Sequence, residues 1–258
     1  MKTALIGHSG FVGSSLARQT SFDARYRSTD IQDIRGKHFD LLVCAGASGK
    51  KWLANREPAN DLRSLETLMS HLEHVRSDRV VLISTVDVFS VPVDVDERTP
   101  VGETGLQPYG LHRRMLEQFT AARFPRSLVV RLPGLVGPGL RKNVLFDLHN
   151  HKDLSAVDGR AEFQFYPMVN LWQDLARGLS AGLELLHLCA EPVSVTEVAL
   201  EGFGRDFGQA PGGPIPRYDL RTVHAPALGG EGPYTYSRRE SLLAIRAYAQ
   251  SEPRGEQP

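Results

Sequence analysis

The segment TALIGHSGFVGSS, Thr3 to Ser15, joins a short apolar run, Ala4 to Ile6, directly to Gly7, Gly10 and Gly13, and then continues as helix-compatible SSLARQ. Strand, glycines, helix is the order in which a glycine motif cradles a pyrophosphate. Gly7 allows a sharp turn off the strand, Gly10 lets phosphates approach backbone N–H groups, and Gly13 lets the helix pack on the strand. The helix N-terminus adds its partial positive charge. The stretch therefore predicts a dinucleotide-binding turn in which Gly7, His8, Ser9, Gly10, Phe11, Val12 and Gly13 face the cofactor.

The spacing is GxxGxxG, with His8 and Ser9 between the first two glycines. It resembles the opening of the extended branch of the short-chain dehydrogenase/reductase superfamily, the sugar-nucleotide epimerases, dehydratases and reductases. That resemblance implies an α/β fold, a doubly wound, Rossmann-type parallel sheet with a small C-terminal substrate lobe. Residues 1–135 are expected to form the dinucleotide-binding domain, with 164–192 returning to it. Residues 136–258 are mainly the lobe, and 251–258 are read as a disordered tail.

Thirty Lys and Arg balance thirty Asp and Glu over 258 residues, so neither a nucleic-acid surface nor an anionic membrane surface is indicated. Cys44 and Cys189 make no disulfide framework and no zinc spacing, and His71 and His74 lack a third ligand, so no metal is expected. No apolar stretch approaches the roughly 18 residues of a spanning helix. A soluble, cytoplasmic protein is expected.

Phe22 to Ser28 is a weak strand and Asp40 to Ala45 a strong one. The gap is too short for a full helix and a further strand, so this half of the sheet is abbreviated. Many members of the resembled branch hold the adenosine ribose with an acid after the second strand, where Arg27 and Ser28 stand here. Arg27 is either a partner for a 2′-phosphate or a solvated edge arginine, which places NADP(H) ahead of NAD(H). Asp30 and Ile31 resemble the acid and apolar pair that contacts adenine. Ala45, Gly46 and Ala47 suit a backbone passing close to a cofactor. Cys44 reads as a small buried hydrophobe. Lys50, Lys51 and Trp52 follow in a loop at the carboxyl edge of the sheet, Trp52 either packing or offering a platform to substrate. Pro58 to Val75 has helical period. The family's supporting Asn in this helix is replaced by Asp61 or Arg63.

The apolar strand Arg79 to Ser84 runs into STVDVF, which resembles the family's serine/threonine motif. By register Thr85 takes the catalytic hydroxyl, and Asp87 stands where several dehydratases carry an acid. In the helix that follows, Tyr109 and Arg113 lie one turn apart on one face. They match the family's YxxxK with Arg in place of Lys. After strand Ser127 to Leu132, Pro133 either resembles the family's proline near the nicotinamide or opens a plain strand-terminating loop. Arg141, Lys142 and Asn143 are candidate contacts to a nucleotide diphosphate or base. Further on, FQFYPM (163–168) reads as a strand, 171–188 as a helix containing a structural Asp174, and Ser194 or Thr196 as a cap for a helix from Glu197. Residues 202–232 read as a long loop, either lid or disordered, before a last helix over 242–248.

The resemblance thus implies an NAD(P)-dependent epimerase, dehydratase or reductase of a nucleotide-linked sugar, with a homodimer as the expected assembly. Tyr109 exchanges a proton with the sugar, Thr85 holds the same oxygen, and Asp87 supplies a second acid/base. Two rivals stand beside it: a cofactor-binding regulator or scaffold without catalysis, suggested by Arg113 and the missing Asn, and a carbonyl reductase of non-nucleotide substrates.

Overall fold

The computed structural model describes residues 1–254; residues 255–258, part of the expected tail, lie outside the described residues. Strand β1 (Thr3–Ile6), buried at every position, leads through Gly7 into α1 (Phe11–Gln19). Strand β2 (Ala24–Tyr26) follows, and between it and β3 (His38–Cys44) stands one 3-10 turn, Ile31–Ile34, in place of a full crossover helix. Helices α2 (Lys51–Arg56) and α3 (Pro58–Leu72) precede β4 (Arg76–Thr85). The expected loop at Lys51 and Trp52 is thus a helix, because KWLANR holds no Gly or Pro and buries Ala54.

Along the remaining chain come β5 (Val93–Val95), α4 (Pro108–Arg123), β6 (Ser127–Leu132), β7 (Gly134–Val136), α5 (Val144–His149), β8 (Glu162–Phe163) and β9 (Phe165–Pro167). Next are α6 (Leu171–Ser180), β10 (Leu185–His187), β11 (Val193–Ser194), the single turn α7 (Val195–Glu197), β12 (Asp219–Leu220), α8 (Ala225–Leu228) and α9 (Arg238–Ser251).

The chain forms two compact units, the first made of residues 1–91, 97–132 and 171–187. It contains a six-stranded sheet in the order β10-β6-β4-β3-β1-β2, parallel at every pairing. Parallel strands are covered on both faces, which is why β1 and the second halves of β3 and β4 are continuous apolar runs. The chain runs from β1 outward to β2 and then back across β1 to β3, so strand order reverses at the carboxyl ends of β1 and β3. Open α/β sheets bind ligands at such a reversal. Ile6, Leu42, Cys44, Leu65, Leu68, Leu72, Leu82 and Leu116 belong to one buried cluster beneath it. The helix read over 171–188 is shorter than expected: α6 stops at Ser180, Gly182 takes φ +68°, and Leu185 to His187 pair with Val129 to Arg131 as the sheet's edge strand.

The second unit comprises 92–96, 133–170 and 188–258 and carries three two-stranded pieces, β11-β8, β12-β5 and β7-β9. The single strand read in FQFYPM is divided at Gln164. Its buried side chain donates to the carbonyls of Ala190 and Leu220 and accepts from the Leu220 N–H, each at 2.7 Å. Ser194 caps α7 in a reciprocal box with Glu197, while Thr196 donates to the Gly159 and Phe207 carbonyls. The 202–232 stretch contains β12 and α8, so it is not one continuous loop. Helix α9 is capped by a second such box, Ser237 with Glu240, and reaches Ser251, the first residue of the expected tail. No described helix is long and apolar enough to cross a membrane.

Candidate active site

At the reversal point the Gly7 N–H donates to the Tyr26 carbonyl at 2.7 Å and the Ala45 N–H to the Ile6 carbonyl at 2.9 Å, tying the ends of β1, β2 and β3 together. Gly7 has φ +84°, and a Cβ there would strike the Ala45 carbonyl. A Cβ on Gly13 would strike the Gly7 carbonyl, so this glycine packs α1 against the turn itself rather than against the strand. Gly10 differs, since the nearest atom to a Cβ would be the Gly7 oxygen at 3.4 Å. The fold requires the outer glycines, and the middle one stays open before α1. That helix has no side-chain cap and no acid in its first turn, so its leading N–H groups and partial positive charge suit a phosphate.

At the end of β2 the Arg27 N–H donates to Asp30 Oδ1 at 2.7 Å and its guanidinium stands 3.6 Å from Oδ2. An acid and a cation thus share the place where the sequence showed only Arg27 and Ser28. Ile31 beside them is buried. Ala45, Gly46 and Ala47 leave β3, with a Cβ on Gly46 falling 2.9 Å from Ile6 Cγ2. Burial pushes the Cys44 thiol up to about 11, which keeps it protonated and inert.

Strand β4 ends at Thr85, whose Oγ1 accepts the Asp87 N–H and donates to Asp87 Oδ2, each at 3.2 Å. Lys51 Nζ lies 2.7 Å from Asp87 Oδ1. Tyr109 stands in the first turn of α4, its N–H donating to Asn55 Oδ1 at 2.9 Å. Gly110 has a steric duty, because a Cβ there would strike the Asp87 carbonyl. Without a side chain at 110, α4 settles onto the turn after β4, which brings the start of α4, with Tyr109, against the segment that follows Thr85.

One turn further along α4 the Arg113 guanidinium lies 4.1 Å from the Tyr109 ring centroid. Its two terminal nitrogens donate to Asp61 Oδ2 and the Ser48 carbonyl, and its buried Nε has no partner. His112 Nδ1 sits 2.8 Å from the same Asp61 oxygen. Asp61, not Arg63, is therefore the α3 side chain that meets Arg113 and His112; Arg63 is exposed and bonded to Asn60. Burial pushes the Tyr109 phenol above its usual value, while Arg113 and Lys51 pull it down and Asp87 pushes it up. At neutral pH the phenol is protonated.

Beneath this face Glu117 accepts from Ser84 Oγ at 2.6 Å, from Arg131 Nε and Nη2 at 3.0 and 2.8 Å, and from Arg114 Nη1 at 3.0 Å. Arg131 also meets His187 Nε2 at 3.3 Å, and the His187 N–H donates to Glu97 Oε1 at 2.7 Å. Burial pushes the Glu117 carboxyl up, but Arg131, Ser84 and Arg114 outweigh it and hold the group below the usual range.

Trp52 is 59 % exposed with the Arg56 guanidinium 4.8 Å above its ring, so it is not core packing. In the second unit Arg141 and Lys142 are exposed. Asn143, at φ +96°, caps α5 by accepting from the Leu145 and Phe146 N–H groups and donates to the Leu135 carbonyl. Its amide is thereby occupied. Pro133 opens that unit's 133–170 segment. Asp174 is wholly buried in α6. Among the described residues no group of three His, Cys, Asp or Glu is placed to hold a metal.

Lys51, Asn55, Asp61 and Gly110 all serve this face, and the sequence reading gave none of them a definite role. Two signals were present: Lys51 and Asn55 are four apart, and Asp61 continues the Leu65, Leu68, Leu72 face of α3.

A reversal point filled by a GxxGxxG turn, beside a Thr and a Tyr-x-x-x-cation pair, gives the fold of the extended short-chain dehydrogenases and reductases. A dTDP-4-dehydrorhamnose reductase from Clostridium acetobutylicum superposes with a TM-score of 0.73 at 17 % identity, over 96 % of this chain and 98 % of its own. A UDP-glucose 4-epimerase from Thermotoga maritima, solved with UDP-glucose, gives 0.72 at 16 % identity over 96 % and 98 %. A dTDP-glucose 4,6-dehydratase from Streptomyces venezuelae, solved with NAD, gives 0.72 at 16 % over 97 % of each chain. At this identity the likeness establishes the fold. No protein-family model matches the chain, nor does any curated protein sequence.

Proposed function

We propose that the chain is a nicotinamide-dependent oxidoreductase of the extended short-chain dehydrogenase/reductase type, acting as an epimerase, dehydratase or reductase on a nucleotide-linked sugar. The observation that carries this reading is Tyr109 with the Arg113 guanidinium 4.1 Å from its ring centroid, on a helix packed at Gly110 against the turn that follows Thr85, in the same unit as an open glycine turn. The residues fit such a cofactor: Gly10 leaves the cradle open, α1 lacks any capping side chain, and Arg113 Nε is a buried donor without a partner, available to a ribose hydroxyl. The bound nicotinamide supplies hydride exchange with a sugar carbon. The chain's own residues handle the proton. Tyr109, protonated at rest, donates to the sugar oxygen when a carbonyl is reduced and accepts from it in the reverse direction. Thr85 hydrogen-bonds that oxygen and Asp87 serves as the second acid/base. Trp52, exposed on α2, is the side chain of the first unit that we assign to the nucleotide sugar. Arg27 favours NADP(H) and the adjacent Asp30 favours NAD(H); we keep NADP(H) ahead because the guanidinium is the more exposed partner.

The test is a thermal-shift screen with NAD, NADP and a panel of UDP-, GDP-, CDP- and dTDP-sugars, because a ligand selective for the folded state raises apparent stability. Turnover is then followed by nicotinamide absorbance. Tyr109→Phe is expected to lower turnover by about 10²–10⁴-fold while cofactor-induced stabilisation is unchanged. Wild-type turnover in this variant removes the catalytic assignment. Cofactor binding without turnover of any sugar nucleotide replaces it with a regulator.

A further inference from the structure

Helix α2 is short, yet two of its side chains, one turn apart, reach this centre: Asn55 accepts the Tyr109 N–H, and Lys51 Nζ lies 2.7 Å from Asp87 Oδ1. The charge at 113 already has a counterion, although its Nε keeps a spare donor. Arg113 is paired with Asp61, holds the Ser48 carbonyl, and lies against the face of the Tyr109 ring. A second carboxylate, Asp87, stands on the turn against which α4 packs at Gly110, the residue next to Tyr109, bonded to Thr85 and with its side chain 19 % exposed. A lone negative charge there opposes ionisation of Tyr109 and turns freely away from Thr85.

We propose that Lys51 is a positioning residue of this centre, whose ammonium neutralises the Asp87 carboxylate beside Tyr109 and fixes it against the Thr85 hydroxyl. The inference rests on the proposed reading of Tyr109, Thr85 and Asp87 as the reacting groups. It adds a second ion pair to that reading, Lys51 with Asp87 beside the first, Arg113 with Asp61. The charged groups acting on the phenol are then Arg113, Asp87 and Lys51, consistent with the directions of their influence. Lys51 is also part-exposed, so a neutral replacement there leaves no buried cavity.

The experiment reads the phenol itself. Protein labelled with ¹³Cζ-tyrosine is titrated by NMR, with Tyr109 assigned through Tyr109→Phe. Lys51→Met is expected to lower the ionised fraction of Tyr109 about tenfold at a fixed alkaline pH, and Lys51→Arg to stay near wild type. Asp87→Asn is expected to raise that fraction, and in an Asp87→Asn background Lys51→Met is expected to have a smaller effect, because only the direct pull of the ammonium is then lost. An unmoved Tyr109 signal in Lys51→Met, or an equal drop with and without Asp87, overturns the proposal. These titrations need no substrate, so they stand or fall apart from the enzymatic reading, which turnover decides. Once a substrate is in hand, Lys51→Met is expected to lower kcat with little change in KM and to move the basic limb of the pH profile upward, with Lys51→Arg restoring both.

Discussion

Helix α4 buries two charged side chains one turn apart, Arg113 and Glu117, and the structure treats them differently. Glu117 is saturated: Ser84, Arg131 and Arg114 supply four donor groups to its two oxygens. Arg113 is incompletely satisfied, with one nitrogen on Asp61, one on a backbone carbonyl and one without a partner. A fully paired buried charge joins elements together, here β4, β6 and α4. A buried charge with a spare donor, stacked on a tyrosine, is held ready for something else.

The comparison breaks first at Glu117. Glutamine there presents N–H groups to a ring of donors and leaves Arg131 without its countercharge, so Glu117→Gln is expected to cost about 3–5 kcal/mol in urea unfolding. A pH series sharpens the point. The folded carboxyl titrates below its usual value, so its contribution is complete above the ordinary glutamate range and is lost as pH falls through the folded value. The variant is expected to lack that part of the acid limb. A loss below 1 kcal/mol in the variant means that Glu117 is as loosely held as Arg113.

A smaller effect is expected at Asp61. Asparagine keeps an oxygen for Arg113 and His112, and Arg113 keeps the Ser48 carbonyl, so Asp61→Asn is expected to cost about 1–3 kcal/mol. Arg113→Lys alone loses the carbonyl bond and the planar stacking on Tyr109. Combining it with Asp61→Asn changes both partners of one buried contact. The double variant is expected to be more stable than the sum of the single losses, with a coupling of about 0.5–3 kcal/mol. Strict additivity in unfolding experiments means that Asp61 and Arg113 contribute to stability independently. The smallest expected effect is Arg114→Met, below about 1 kcal/mol, since Arg114 is part-exposed and only the outermost of the groups around Glu117. A larger loss makes Arg114 an equal member of that cluster.

How much of this was legible in the sequence follows from what each residue has to do. The glycine turn was readable because steric necessity fixes residue type: at Gly7 and Gly13 any side chain meets backbone. Thr85, Tyr109 and Arg113 were singled out by resemblance to a family's serine/threonine and YxxxK motifs, and a strand end and a helical period place them as that resemblance implies. The abbreviated crossover between β2 and β3 followed from chain length alone. Pairings between elements were less accessible. Whether Asp61 or Arg63 faces α4 depends on how α3 is rotated, and Lys51 meets Asp87 only because α2 forms where a loop was expected. The edge strand β10 was lost inside a helical reading because its three residues are too few to show a period. Asn143 drew attention as a polar group near other polar groups, yet its amide is taken up by backbone at the start of α5.

The sheet's two outer strands have a further bearing on how the chain behaves at high concentration. Both β2 and β10 are three residues long, β2 carries the exposed Arg25, and the His187 N–H of β10 is taken by Glu97. Brief, charged or capped edges offer little template for another strand. The sheet is thereby closed to lateral growth, and self-association by strand addition, the route to fibrous aggregates, is blocked on both sides by the same short segments that bound the fold.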